Sequence, residues 1–179
     1  KYRPFLEMVI AARGPLPLKL AQASLQWDPY DCQINAEGEA CGKVIDPLSS
    51  MFPTKGGCVQ PFHQSIADWL SDPEKAGNYC VKKVEGQRRL TDICWDDYKA
   101  GSEKMSTYTI DHLPTHLLEL ERWENMLELL SDPTLGLISR WIDEGEGERG
   151  IVCFSALIKY LGGNNQASLT LAALATQIA

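Results

Sequence analysis

The run Leu48-Ser49-Ser50-Met51-Phe52, Pro53-Thr54-Lys55-Gly56-Gly57, Cys58-Val59-Gln60-Pro61-Phe62 decides the fold. Two short strand-forming segments flank a turn rich in Pro and Gly, which predicts a β-hairpin. Pro61 has no N–H to give to a ladder, so the second strand is expected at a sheet edge. Lys55 is expected in the solvated turn. Directly after comes Phe62-His63-Gln64-Ser65-Ile66-Ala67-Asp68-Trp69-Leu70. Ile66, Trp69 and Leu70 share one helical face, and Pro73 ends the run. Gln64 and Asp68 point the other way. His63 stands where the strand hands over to the helix. A histidine there either caps the turn or offers a ring N–H to an anion.

Upstream, residues 3–12 form a helical pattern that Arg13-Gly14-Pro15 ends. Leu16-Pro17 opens a second helix, with Pro17 suited to its first turn. Leu18, Leu20, Ala21, Leu25 and Trp27 supply its apolar side. Asp28-Pro29 breaks the chain again, and residues 30–46 read as a third helix despite Gly38 and Gly42. Three helices followed by a hairpin is the order of a winged-helix domain, expected over residues 1–73.

Downstream, residues 74–104 hold a polar connector, reaching to Gly86, and a helix over 87–99 with Leu90, Ile93, Cys94 and Trp95. Short helical patterns follow at 108–120, 123–130, 135–144, 151–161 and 168–178, separated by Gly or Asp-Pro breaks. They predict an antiparallel helical array over residues 105–179, without a fixed repeat period. The leucine-rich stretch at 117–130 lacks a sustained heptad seam, so it packs within that array rather than as a coiled coil. The expected fold class is therefore mainly α: a winged-helix domain of three helices and a β-hairpin, then an antiparallel α-helical array. Trp69 and Trp95 lie among apolar neighbours at helical spacing and read as buried anchors.

The net charge of −7 gives no global field toward nucleic acid or an anionic membrane. Between Asp28 and Asp46 five acids face Lys43 alone, which opposes phosphate binding by the third helix. No apolar run is long enough to span a bilayer, since 151–179 is interrupted by Gly162-Gly163-Asn164-Asn165-Gln166. No secretory leader is visible, and both ends read as cuts through a longer protein. Cysteines 32, 41, 58, 80, 94 and 153 form no CxxC and no regular framework, so idle thiols in a reducing cytosol are expected.

Motifs with catalytic promise do not develop. Gly145-Glu146-Gly147-Glu148-Arg149-Gly150 matches G-x-G-x-x-G, but a helical pattern precedes it and no acid follows Arg149. It reads as a loop between helices. No P-loop is present. Cys80, Cys94, His112 and His116 hold metal-ligating atoms, but the cysteines are too far apart for a zinc knuckle. Pro114 is expected to interrupt the helix between the histidines, leaving His112 and His116 as half-buried partners in a helical pair. Cys58 and His63 are close in sequence without any nucleophile signature.

Several blocks together resemble the segment that follows the ATPase core in STAND-class signalling ATPases, the NACHT and apoptosome-like families. Phe5-Leu-Glu-Met-Val-Ile-Ala-Ala-Arg13-Gly-Pro-Leu-Pro-Leu18 resembles the opening winged-helix pair. Val44-Ile-Asp-Pro-Leu-Ser-Ser-Met-Phe52 resembles the helix-to-strand step. Phe62-His-Gln-Ser-Ile-Ala-Asp-Trp-Leu-Ser-Asp-Pro73 is similar to the family's FHxSFRDFLxDP block. His112-Leu-Pro-Thr-His-Leu-Leu-Glu-Leu-Glu-Arg-Trp123, with the residues to Asp132, is similar to its HLPxHLxEAGRWDxLLxLLxD helices. The likeness covers residues 2–133.

The resemblance implies a cytoplasmic, non-catalytic regulatory segment. It would couple nucleotide state to oligomerisation and signalling, in an immune or cell-death type of switch. ATP or ADP would be held by an ATPase core upstream of Lys1, with which this segment would pack, and His63 would contact the β-phosphate. Gln64 departs from the His-Asp pair of the apoptosome-like proteins. A free-standing helical adaptor for protein partners is the alternative, and a small cysteine or metal enzyme a more remote one.

Overall fold

A computed structural model describes residues 1–101, 105–132, 137, 141, 143, 145 and 147–162. The protein is mainly helical with a small antiparallel sheet. It divides into two compact units, Lys1–Lys99 and Ala100–Ala179.

The first unit starts with α1 (Tyr2–Ala11), which buries Phe5, Met8, Val9 and Ile10. Strand β1 (Leu16–Pro17) leads into α2 (Leu18–Leu25). Pro17 is thus the N-cap of α2 and a strand residue rather than part of the first helical turn. A hairpin of β4 (Thr54–Lys55) and β5 (Cys58–Val59) completes a three-stranded sheet in the order β1-β5-β4. Pro17 is tolerated because β1 is an edge strand. The hairpin strand expected at an edge, β5, is instead central. Pro61 lies past its end at Val59, so no ladder bond is lost there. Lys55 is exposed within β4, and the turn itself is Gly56–Gly57.

The third helix expected over 30–46 is absent. Asp28 Oδ1 accepts from the N–H groups of Tyr30 and Asp31, which turns the chain. A small hairpin of β2 (Gln33–Ile34) and β3 (Ala40–Cys41) comes next. Gly38 has φ +79° and Gly42 φ +143°, backbone that an α-helix cannot use. A Cβ on Gly42 would also meet the Asp31 carbonyl oxygen and lie 2.9 Å from the Cys32 Cα. The segment expected to be a strand at 48–52 is a run of tight turns around a 3₁₀ turn at Asp46–Leu48, started by Pro47. Successive bonds from Leu48 to Ile45, Ser49 to Asp46 and Phe52 to Leu48 hold it. Phe52, 1% exposed, pins it to the core.

Helix α3 (Gln64–Ser71) and the short α4 (Pro73–Ala76) come after the sheet. Asp72 caps α4 by accepting from the Glu74 and Lys75 N–H groups, with Pro73 at the first helical position. The Lys75 ammonium, 2.7 Å from Asp72, and the Lys75 N–H hold the Asp72 carboxyl below its usual value. Helix α5 (Lys83–Lys99) begins earlier than expected and packs closely along α1. The first unit therefore continues past residue 73 to the end of α5, and the expected polar connector is largely helical.

In the second unit α6 (Thr107–Glu119) is capped by Ser106 Oγ, which accepts from the Thr109 N–H. The helix runs through Pro114 instead of breaking there. Helix α7 (Trp123–Ser131) packs on α6, and α8 (Gly147–Gly162) contacts both. Leu113, Leu117, Met126, Leu129 and Leu157 form the buried centre. Trp123 stacks on Tyr160 at 4.9 Å and 17°. Leu137, Trp141 and Asp143 are helical, but the rest of the expected helix at 135–144 and all of that at 168–178 lie outside the described residues. Among the described residues no helix is long and apolar enough to cross a membrane.

Candidate functional site

The chain folds His63 into the N-cap of α3. Its backbone is extended, at φ −145° and ψ 147°. The Phe62 N–H bonds the Met51 carbonyl at 2.8 Å, and the Ile66 N–H bonds the His63 carbonyl at 3.0 Å. These bonds fix both sides of the junction. The Ser65 N–H donates to His63 Nδ1 at 3.2 Å, with Ser65 Oγ 2.8 Å from the same nitrogen. With Nδ1 accepting, the ring proton sits on Nε2. That Nε2–H has no hydrogen bond among the described residues, and His63 is exposed. The ring therefore caps the helix with one nitrogen and holds the other as a free donor. Gln64 donates to Asp68 Oδ1 at 3.1 Å, so its amide is engaged one turn along its own helix.

The other face of α3 borders an apolar cleft of about 450 Å³. Leu6 of α1, Phe52 and Leu70 line its depth, and Met51, Trp69 and Tyr79 stand at its mouth. Trp69 is 41% exposed, with its ring 6.3 Å from that of Tyr79. Trp69 is thus no buried anchor. Trp95 is half-buried against Tyr98 at 4.8 Å, with the Lys99 ammonium 5.1 Å above its ring. Helical spacing identified the apolar face of α3 correctly. It carried no signal that part of this face would stay uncovered.

Cys80 and Cys94 belong to the first unit, His112 and His116 to the second. His116 is fully buried, with Nε2 3.2 Å from the Tyr108 hydroxyl, and His112 packs edge-on to the Tyr108 ring at 4.6 Å. No group of three or more metal-ligating side chains occurs among the described residues. Gly147 and Gly150 lie in the first turn of α8 rather than in a loop. Gly150 packs under Trp141, where a Cβ would approach the ring to 3.2 Å.

The thiol chemistry runs against nucleophilic use. Burial pushes the Cys32 thiol up to about 11, helped by the nearby Cys41 and Asp46. Burial also raises Cys58. A nucleophilic cysteine needs the opposite shift. In the native protein Cys41, which is exposed, is expected to react rapidly with iodoacetamide at pH 8. Cys32, which is buried, is expected to react only on unfolding, and the half-buried Cys58 more slowly than Cys41. Mass spectrometry of the labelled peptides checks this, and prompt native labelling of Cys32 contradicts the described packing.

Comparison with protein-family models, curated proteins and solved structures returns no match.

Proposed function

We propose that this chain is a non-catalytic regulatory segment of a STAND-class NTPase. In this reading the first unit is a winged helix, and the second unit is the helical linker that extends from it. The segment couples the nucleotide state of an ATPase core to oligomerisation and signalling in the cytoplasm. The sheet order β1-β5-β4 supports the winged-helix assignment. A strand leaves the first helix and pairs with the far strand of a later hairpin, as the wing of that fold does. The third helix of the fold is reduced here to the turns around Asp46–Leu48.

The observation that carries the functional reading is His63. Its Nδ1 is committed to the cap while an exposed Nε2–H remains to meet a phosphate oxygen. The positive end of α3 adds to that donor. Capping and phosphate contact use different nitrogens, so one residue serves both.

His63→Ser tests the role, because serine keeps an N-cap and removes the ring. In the longer protein with its ATPase core, ADP affinity is expected to fall roughly tenfold. A hydrogen bond to a charged group contributes about 1.5–3 kcal/mol, and about 1.4 kcal/mol is tenfold. The melting temperature of the 179-residue chain is expected to stay unchanged. Unchanged ADP affinity removes the nucleotide contact. A second reading, an adaptor for a protein partner, is favoured by the apolar cleft beside α3.

A further inference from the structure

We infer that the apolar stripe formed on α8 by Ile151, Phe154 and Ile158 is covered by residues 168–178 of this same chain, which return antiparallel along it as one more helix of the array. Helix α8 already packs on α6 and α7. Its buried line is Gly150, Cys153 and Leu157, at i, i+3 and i+7. Ile151, Phe154 and Ile158 repeat that spacing, and at 3.6 residues per turn they sit about 100° around the helix from it. Ile151 is 66% and Ile158 48% exposed, with Phe154 half-buried between them. A helix with neighbours on one side only carries one apolar stripe and polar residues elsewhere. A second stripe as open as this one marks a contact surface.

The chain itself supplies the occupant. Residues 163–179 lie outside the described residues and follow directly on the end of α8 at Gly162. They carry no charged side chain. Leu171, Leu174, Ala175 and Ile178 fall at i, i+3, i+4 and i+7, the pattern of one apolar helical face, and Thr170, Thr176 and Gln177 fall outside it. The link Gly163-Asn164-Asn165-Gln166-Ala167 has the length of an antiparallel helix–helix connection, about 2–5 residues. A helix over 168–178 is about 16 Å long, and Ile151 lies about 10 Å along α8 from Ile158, so the return reaches the whole stripe. Folding back through that link sets Leu171 opposite Ile158 and Ile178 opposite Ile151. So short a tether holds the segment at a local concentration on the order of millimolar, which a separate partner must outcompete. Neither stripe carries a charge, so apolar burial joins them. The contact is independent of His63 and of any nucleotide.

Hydrogen exchange on the full chain, read by mass spectrometry, tests the inference. A helix as short as 168–178 is marginal in water by itself, so slow exchange there reports docking. In the wild type the amides of 168–178 are expected to exchange about tenfold or more slowly than those of an unstructured chain. Ile158→Glu is expected to remove that protection while α6 and α7 keep theirs. Leu174→Glu should do the same from the other side of the contact. If Ile158→Glu does not fold, Ile151→Glu at the more exposed position replaces it. Exchange over 168–178 at the unstructured rate in the wild type overturns the inference. Protection of 168–178 that survives the charge on α8 also overturns it, because the segment is then docked elsewhere. A dimer in sedimentation equilibrium that the same substitution dissociates overturns it in favour of a second copy on the stripe.

Discussion

Gly86→Ala is expected to destabilise the first unit strongly. In an ordinary helix interior this change stabilises by about 1 kcal/mol, because alanine has less backbone entropy to lose. Here the sign reverses. Gly86 sits on α5 where it crosses α1, and a Cβ would run into the backbone carbonyl of Glu7 and lie 2.9 Å from the Met8 N. The obstacle is backbone rather than the end of a flexible side chain, so α1 and α5 must move apart. That separation loosens Phe5, Met8 and Leu90, all fully buried. Overpacking of this kind costs about 1–3 kcal/mol, occasionally more, and the lost helix packing adds to it. For a unit of this size the melting temperature should fall by roughly 10 °C or more. A thermal melt monitored by circular dichroism measures it. An unchanged or higher melting temperature would show that α1 and α5 do not meet at Gly86.

That crossing also marks where the sequence stopped being legible. The helices at α1, α3, α6 and α7 could be placed because apolar residues recur at helical spacing and a cap or breaker bounds each run. The hairpin could be foreseen from its turn residues, but its first strand is Thr54–Lys55, within the expected turn, and not 48–52. Residues 30–46 could not, because Gly38 and Gly42 are chosen for tertiary contact and unusual φ, which local periodicity does not report. Gly86 too is chosen for tertiary contact, although its backbone is ordinary α-helix. In sequence it looks like the end of a polar connector, yet it is where α5 comes closest to the backbone of α1. Pro114 misled in the other direction, since packing around a buried Leu113 and Leu117 carries α6 through it.

The site was half legible for a related reason. His63 stood out because an imidazole at a strand-to-helix junction has two distinct uses, and the geometry assigns a nitrogen to the first and leaves one for the second. The cleft was not legible. Ile66, Trp69 and Leu70 share a face, and an apolar helical face is ordinarily covered by the rest of the core. Which part stays open depends on where α1 and the turns at 46–52 come to rest.

Phe5→Ala is therefore expected to cost more stability than Trp69→Ala, although tryptophan is the larger residue. Phe5 is 0% exposed and packs against Trp27 with ring centroids 5.1 Å apart. Removing its ring forfeits the transfer free energy and leaves a closed cavity, for a loss of about 3–5 kcal/mol. Trp69 is 41% exposed at the mouth of a cleft, so less of its surface is withdrawn from water on folding. The space left behind opens to solvent, and no cavity term is added. A loss of about 2 kcal/mol follows from the buried part of the ring. Urea titration of both variants gives the comparison. Phe5→Ala should shift the midpoint about twice as far, whereas Trp69→Ala should remain folded. Equal losses would mean that Trp69 is covered in solution. The open face of α3 would then be closed by part of the protein itself, and the cleft would not be available to a partner.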